Sequence, residues 1–341
     1  MEWAAREHTK EQIDAAGLGL IKKKYSADEL DQILMVINNW RASHSFPLNT
    51  FQCTLRRKAR QIDQSALIAQ RLKRLSSIFD KLKRMRRLTL SEMQDIGGCR
   101  AIVGSVESVW KVVDLYKRGD IKHKLDQEDD YITHPKASGY RSVHLIYLYN
   151  SDRKDTYNGQ KIEIQLRSRL QHAWATAVET VGTFTKQALK TSRGQQEWLR
   201  FFALMGTDMA LREKAEVVPN TPTNKAELKK ELREYVNTLD VERRLHAFGT
   251  AVHATETAPK DAHYFLLRLD ASTKQLSITG YLFGDREKAS SDYLATERAI
   301  QKSGADAVLV SVESLEALRR AYPNYFLDTD VFISAVKKAT E

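Results

Sequence analysis

The stretch DDYITHPKASGYRSVHLIYLYN, residues 129–150, and the run QKIEIQLRS, residues 160–168, that follows it after a polar turn, decide the fold. Two strand-like runs enclose a loop dense in hydrogen-bonding and stacking groups. In the second run Ile162, Ile164 and Leu166 alternate with Glu163, Gln165 and Arg167, so one strand face is apolar and the other carries a carboxylate, an amide and a guanidinium. An ordinary strand puts mixed solubilising residues outward. Here three functional side chains stand in file beside a Lys-x-x-Gly-Tyr loop (Lys136, Gly139, Tyr140), which points to a site for a charged, planar ligand.

The 341 residues suffice for two domains, and the apolar and charged fractions, 42% and 29%, are those of a globular protein. No apolar run approaches a membrane span, and the first residues, MEWAAREHTKEQ, lack the core of a signal peptide, so a cytoplasmic chain without a membrane partner is expected. Cys53 and Cys99 have neither CxxC spacing nor nearby histidines, so any metal should be held by oxygen. The net charge of +10 favours polyanionic partners. It is concentrated: between Arg56 and Arg87 twelve basic residues face two acidic ones, Asp63 and Asp80.

Working outward, Ser26-x-x-Glu29 is a capping box before a helix with Leu30, Ile33, Leu34, Ile37 and Trp40 on one face. Pro47 should break it, with a second helix from about Asn49 to Ile62 and a third from roughly Ser65 to Arg86. On that third helix Lys73, Ser77 and Lys81 would form one stripe with Arg71 nearby, either a solvated basic face or a grip for phosphates. Asp95 precedes Gly97-Gly98, where it is either a turn former or, with the backbone open to close approach, a magnesium ligand. A helix from Ser105 to Arg118 follows, and another after Ser168 that leaves His172 and Glu179 for the rim.

Residues 186–218 read as further helix, closed by PNTPTN, residues 219–224, the best linker signal in the chain. A charged helix from Lys225 to about His246 leads to a hairpin, a helix from Asp285 to Lys302, the strand AVLVSV and a helix from Ser314 to Ala321, in the order β-β-α-β-α. The tail Tyr322-Pro-Asn-Tyr325-Phe is either a buried aromatic turn or a lid, and a last helix is expected near Thr329 to Lys338. The expected division is 1–218, 219–246 and 247–341.

Four blocks in order, RLKRLSSIFDKL (71–82), DIGGCRAIV (95–103), DYITHPKASGYRSVH (130–144) and EIQLRSRLQHAWA (163–175), resemble the synthetase domain of RelA/SpoT-type alarmone synthetases. The resemblance implies an α+β fold of the nucleotidyltransferase type, a mixed sheet flanked by helices, with a small C-terminal α+β regulatory module. It implies transfer of the β,γ-pyrophosphate of ATP to a ribose 3′-hydroxyl. By motif position Arg71, Lys73, Ser77 and Lys81 would grip the ATP phosphates and ribose, and Arg100 would contact adenine. Asp95 would bind Mg²⁺, with Glu163 as second metal ligand or as the base. Tyr140 would stack on the acceptor base, helped by Lys136, His144, Gln165, Arg167 and His172. Cys99 stands where Val or Ile is common, Ser168 where Thr is usual, and His172 where some small synthetases have Asn. No His-Asp pair precedes the synthetase blocks, so the chain is not expected to degrade its own product. The Tyr322-x-x-Tyr325 tail is similar to the neutralising motif of CapRel-type fused toxin-antitoxins. That likeness implies a module folded back on the ATP site, release by a phage protein, and the 3′ end of tRNA as acceptor. GDP or GTP is the alternative acceptor, with the tail regulatory.

Overall fold

A computed structural model describes residues 3–22, 25–119, 121–188, 192–249, 253–270, 272–300, 305–326 and 328–341. Three helices open the chain: α1 (Lys10–Leu20), α2 (Ala27–Ser43) and α3 (Ser45–Ile62). The capping box at Ser26 is made, with Ser26 Oγ accepting from the Glu29 amide and Glu29 accepting from the Ser26 amide. Pro47 does not delay the next helix. It lies in the first turn of α3, where its missing N–H has no intrahelical partner to lose, and the break falls at His44 instead.

The expected helix from Ser65 to Arg86 is corrected by the structure. Leu67–Leu72 is a strand, β1, followed by a turn and a shorter helix, α4 (Leu75–Arg84). Ile68 and Ala69, on opposite faces of β1, are both buried, so the run lacks the alternation of a half-exposed strand and its leucines merge with the helical pattern that begins at Leu75. Then come β2 (Gly97–Val103), α5 (Val106–Lys117), β3 (Lys124–Asp130), β4 (Val143–Leu148), β5 (Lys161–Ser168) and α6 (Arg169–Ala188). Helix α7 (Ser192–Arg212) ends before the expected Val218, and residues 189–191 lie outside the described residues. The charged helix is interrupted at Asp240, whose left-handed φ of 49° divides it into α8 (Lys225–Leu239) and α9 (Val241–Gly249).

The C-terminal segment has the expected strands β7 (Tyr264–Asp270) and β8 (Gln275–Tyr281), helix α10 (Arg286–Ile300), strand β9 (Asp306–Ser311) and helix α11 (Leu315–Ala321). An unforeseen strand, β6 (His253–Thr257), pairs parallel to β8. Residues 301 and 302 of the expected helix lie outside the described residues. Two helices close the chain, α12 (Pro323–Phe326) and α13 (Asp330–Thr340). None of the described helices is long and apolar enough to cross a membrane.

The fold is α+β, a mixed sheet flanked by helices. Among the described residues nine strands form it, in the order β3-β4-β5-β2-β1-β9-β7-β8-β6, with β2 parallel to β5 and β1 antiparallel to β2. The junction of its two halves is narrow: β1 meets β9 only at Gln70↔Ser311 and Arg71↔Val310. Side chains widen it. Ala69 of β1 packs with Phe265, Val310, Tyr322 and Tyr325, while Phe332, Ile333 and Val336 of α13 bed among Trp174, Phe201 and Leu232 of α6, α7 and α8.

Ion pairs cross the same seam. Arg41 Nη1 lies 2.7 Å from Glu297 Oε2, with the two side chains 2% and 9% exposed, while Arg74 pairs with Asp306 and Arg56 and Arg60 with Glu313. Glu297→Gln leaves a buried guanidinium without its carboxylate, so it is expected to cost about 3 kcal/mol or more, read as a lower Tm. Arg41→Met with Glu297→Met removes both charges and should recover most of that loss. A single variant that melts with the wild type would show that the pair carries no stability.

Candidate active site

One half of the site is assembled by β1, α4 and the loop before β2. Lys73 stands in the turn between β1 and α4 rather than on a helix, so the expected stripe with Ser77 and Lys81 does not exist. The turn and the helix nevertheless bring both lysines to one carboxylate. Lys73 Nζ is 2.5 Å from Asp95 Oδ2, and Lys81 Nζ is 2.9 Å from Asp95 Oδ1. Burial by itself would raise the Asp95 pKa, but the two ammonium groups outweigh it and hold the carboxyl below its ordinary value. Burial lowers the Lys73 pKa, with Asp95 opposing and Lys81 and Arg71 adding to the shift.

The other half rests on β4 and β5. Their register sets His144 opposite Gln165, and the alternation of β5 sends Ile162, Ile164 and Leu166 into the core while Glu163, Gln165 and Arg167 face the site. Gly139, at φ +95°, allows the loop to turn under Phe202, whose carbonyl oxygen would lie 2.8 Å from an added Cβ, and so delivers Tyr140. A closed ring of hydrogen bonds results. His144 Nδ1 is 2.9 Å from Glu163 Oε1, Tyr140 Oη is 2.7 Å from His144 Nε2, and Arg167 donates to Tyr140 Oη at 2.9 Å and to Gln165 Oε1 at 2.8 Å. Gln165 donates to Glu163 Oε2 at 2.7 Å and closes the ring. His144 thereby links the Glu163 carboxylate to the Tyr140 hydroxyl. Burial raises the Glu163 pKa and Asp95 adds to that, yet the bonds and charge from His144 dominate with help from Gln165, and the net shift is downward.

Both halves open into one cavity of about 590 Å³, lined among others by Arg71, Lys73, Asp95, Arg100, Tyr140 and Glu163. Gln165 and Arg167 line it too, whereas Ser77, Lys81, Lys136, His144 and His172 do not, Lys81 and His144 standing behind Asp95 and Glu163 as their partners. Lys136 instead holds its ammonium 4.0 Å from the ring centre of Tyr131 and 5.4 Å from that of Tyr140. Three lining or neighbouring groups were not among the expected site residues. Arg84 lies one turn beyond Lys81 on α4, a spacing that could have revealed it. Glu179, which periodicity left for a rim, lines the cavity from α6. Tyr131 packs edge-on to both Tyr140 and His144 and is part of the quoted loop.

The tail reaches this cavity. The Arg100 guanidinium lies 4.2 Å from the ring centre of Tyr322 and also donates to the Ala321 carbonyl. Burial lowers the Arg100 pKa to about 10, Arg167 and Arg71 acting the same way while Tyr322 opposes. Tyr325 does not line the cavity; its hydroxyl accepts from Arg74 at 3.0 Å. His172 is buried among α6 and the tail, its pKa driven well below the usual histidine range by burial first and by Arg100 and Arg167 after it.

Asp95 and Glu163 offer hard oxygen donors in one cavity and repel one another, a donor set that suits Mg²⁺. Among the described residues no cluster of three or more His, Cys, Asp or Glu forms a ready-made metal site.

Residues 70–186 match the family described as the region found in RelA / SpoT proteins. The chain carries a RelA/SpoT-type synthetase domain, which spans β1 to α6 and holds every site residue named above except the tail tyrosines. Among curated proteins it is similar to GTP pyrophosphokinase YjbM of Bacillus subtilis (strain 168), 38% identical over 116 residues that cover 32% of this chain and 52% of that protein. GTP pyrophosphokinase YwaC of the same strain is 33% identical over 111 residues, 31% of this chain and 52% of that one. The chain thus spans about half the length of these relatives. Among solved structures, a GTP pyrophosphokinase family protein from Streptococcus pneumoniae aligns with a TM-score of 0.42 at 25% identity, over 55% of this chain and 92% of that one.

The Asp95 carboxylate, ionised in the fold, contributes stability that is fully present above the ordinary aspartate value of 3.8 and is lost as pH falls through its lowered folded value. Thermal melts between about pH 2 and pH 6 should show Asp95→Asn less stable than the wild type at the upper end and equal to it at the lower. Parallel melting curves across that window would refute the double lysine pairing.

Proposed function

We propose that this chain is an ATP-dependent pyrophosphokinase that transfers the β,γ-pyrophosphate of ATP to a ribose 3′-hydroxyl and is held off by its own C-terminal module. The observation that carries the reading is the single cavity in which five basic side chains, Arg71, Lys73, Arg84, Arg100 and Arg167, stand with Asp95, Glu163 and Tyr140. The acceptor 3′-oxygen attacks the β-phosphorus, the bond from that phosphorus to the oxygen bridging it to the α-phosphate breaks, and AMP leaves. Glu163, oriented by His144 and Gln165, takes the hydroxyl proton. The basic groups neutralise the phosphates; Lys73 and Lys81 exchange Asp95 for phosphate oxygens, and Ser77 on α4 is reserved for the same nucleotide. Mg²⁺, held by Asp95, would supply further neutralisation when bound. Tyr140 carries the acceptor base, with Lys136 beneath the aromatic pair it forms with Tyr131.

Inhibition is supported by Tyr322, whose ring occupies the face of Arg100 that an adenine would use. On this reading residues 1–218 form the catalytic domain, 219–246 the linker and connecting helix, and 247–341 the regulatory module of a cytoplasmic growth-arrest toxin in phage defence. A phage protein bound to the module would release it. The acceptor is the 3′ end of tRNA, supported by the tail's likeness to fused toxin-antitoxins and by the net charge of +10. A second reading, GDP or GTP as acceptor, is favoured by the relatives' names, which are GTP pyrophosphokinases.

Chromatography with labelled ATP, offering deacylated tRNA, GDP and GTP in parallel, separates the two acceptors. Tyr322→Ala should raise transfer at least about tenfold, the effect of removing about 1.4 kcal/mol of inhibition, and Glu163→Gln in that background should abolish it. Tyr325→Ala should activate less, through Arg74. A Tyr322→Ala protein that transfers no faster than the wild type overturns self-inhibition, and one that labels no acceptor overturns the enzyme.

A further inference from the structure

A second cavity, about 320 Å³, lies on the seam between α6 and the tail helices α11 to α13, and the reaction above makes no use of it. Three arginines line it: Arg169 from α6, and Arg319 and Arg320 from α11. Their carboxylate partners are loose or exposed. Arg169 is 4.0 Å from Asp63 and donates one N–H to Ser65 Oγ at 2.6 Å, Arg320 is 3.9 Å from Glu316, and Arg319, 3.2 Å from Glu256 with its guanidinium 4.7 Å from the Phe326 ring centre, is about half exposed, so each five-donor fork keeps N–H groups to offer.

At the inner end stands His172, 8% exposed. The Arg320 backbone hydrogen-bonds its ring, and no side chain does. The other ring nitrogen is a desolvated polar atom without compensation. The far wall is the start of α13. Its N-cap residue, Thr329, makes no side-chain cap bond, so first-turn amides add to the positive potential of the wall. The acid in the lining, Asp328, already accepts from the Asp330 amide. Val331 and Phe332 make the remaining surface apolar, with Val331 59% exposed at the mouth.

We infer that this seam cavity binds a phosphomonoester with a small aromatic body, and that binding clamps the C-terminal module onto α6. The arginines take the phosphate oxygens, whose geometry suits planar guanidinium forks. The apolar wall takes the ring. Since the ligand touches α6 on one side and α11 and α13 on the other, it binds the docked arrangement only. At a hundred times its Kd it therefore favours docked over undocked chains about a hundredfold.

Isothermal titration of the full chain with phenyl phosphate, and separately with inorganic phosphate, tests the site. Phenyl phosphate should bind at one per chain and at least about tenfold tighter than inorganic phosphate, the difference that burying a ring of this size supplies. Val331→Trp, which fills the mouth from an exposed position, and Arg319→Ala with Arg320→Ala should each weaken it at least about tenfold. Lys73→Ala with Lys81→Ala should leave it unchanged. Amide exchange of Val310 and Ser311 in β9, where the module joins β1, should slow when phenyl phosphate is present. No binding, equal affinity for the two probes, or binding lost with the lysines and kept in the seam variants overturns the site. Unchanged exchange in β9 overturns the clamp. None of these readouts depends on pyrophosphate transfer, so the site can fail while the reaction stands, and the reverse.

Discussion

Arg41 has almost no contact with water, and its charge is tolerable only because Glu297, 256 residues further on, lies against it. The same two residues grip the turn between β1 and α4. Arg41 Nε donates to the Lys73 carbonyl at 2.9 Å, and Glu297 Oε1 accepts the Leu75 amide at 3.0 Å, acting as the cap that the N-cap residue Arg74 does not supply. Tyr293 completes the node with a hydroxyl shared between them. The turn that aims Lys73 at Asp95 is therefore held partly by a helix of the C-terminal segment. Docking of that segment and the shape of the lysine turn are one structural fact.

This changes what the basic region from Arg56 to Arg87 means. Read as composition, it is a surface for polyanions. In the fold Arg56 and Arg60 serve Glu313, Arg74 serves Asp306, Lys73 and Lys81 serve Asp95, and Lys58 donates to the Leu115 carbonyl. Half of the concentration is thus taken up by internal partners, three of them in joining the two halves of the sheet. A broad basic surface for nucleic acid rests on the remainder and is narrower than the count implies.

The sequence was most legible where function and periodicity coincide. The alternation of Ile162 to Arg167 gave the strand, its two faces and three of the five members of the hydrogen-bonded ring. It was least legible at β1. A strand buried on both faces between β2 and β9 has no two-residue rhythm to show, and its leucines borrowed the helical rhythm of α4. The seam could not be read at all, because ion pairs separated by some 250 residues leave no local pattern. Tyr322 and Tyr325 were visible as a pair, but their division of labour, one ring on Arg100 and one hydroxyl on Arg74, depends on the turn of the chain through Pro323.

The two carboxylates of the cavity share one condition. Both oxygens of Asp95 are engaged by lysines, and both oxygens of Glu163 by His144 and Gln165. Neither is left as a bare buried charge, which the cavity could not sustain without pushing its pKa up. On the proposed reaction, a triphosphate entering beside Lys73 and Lys81 would offer them anionic oxygens in place of Asp95, and the Asp95 carboxylate so released would need a cation of its own.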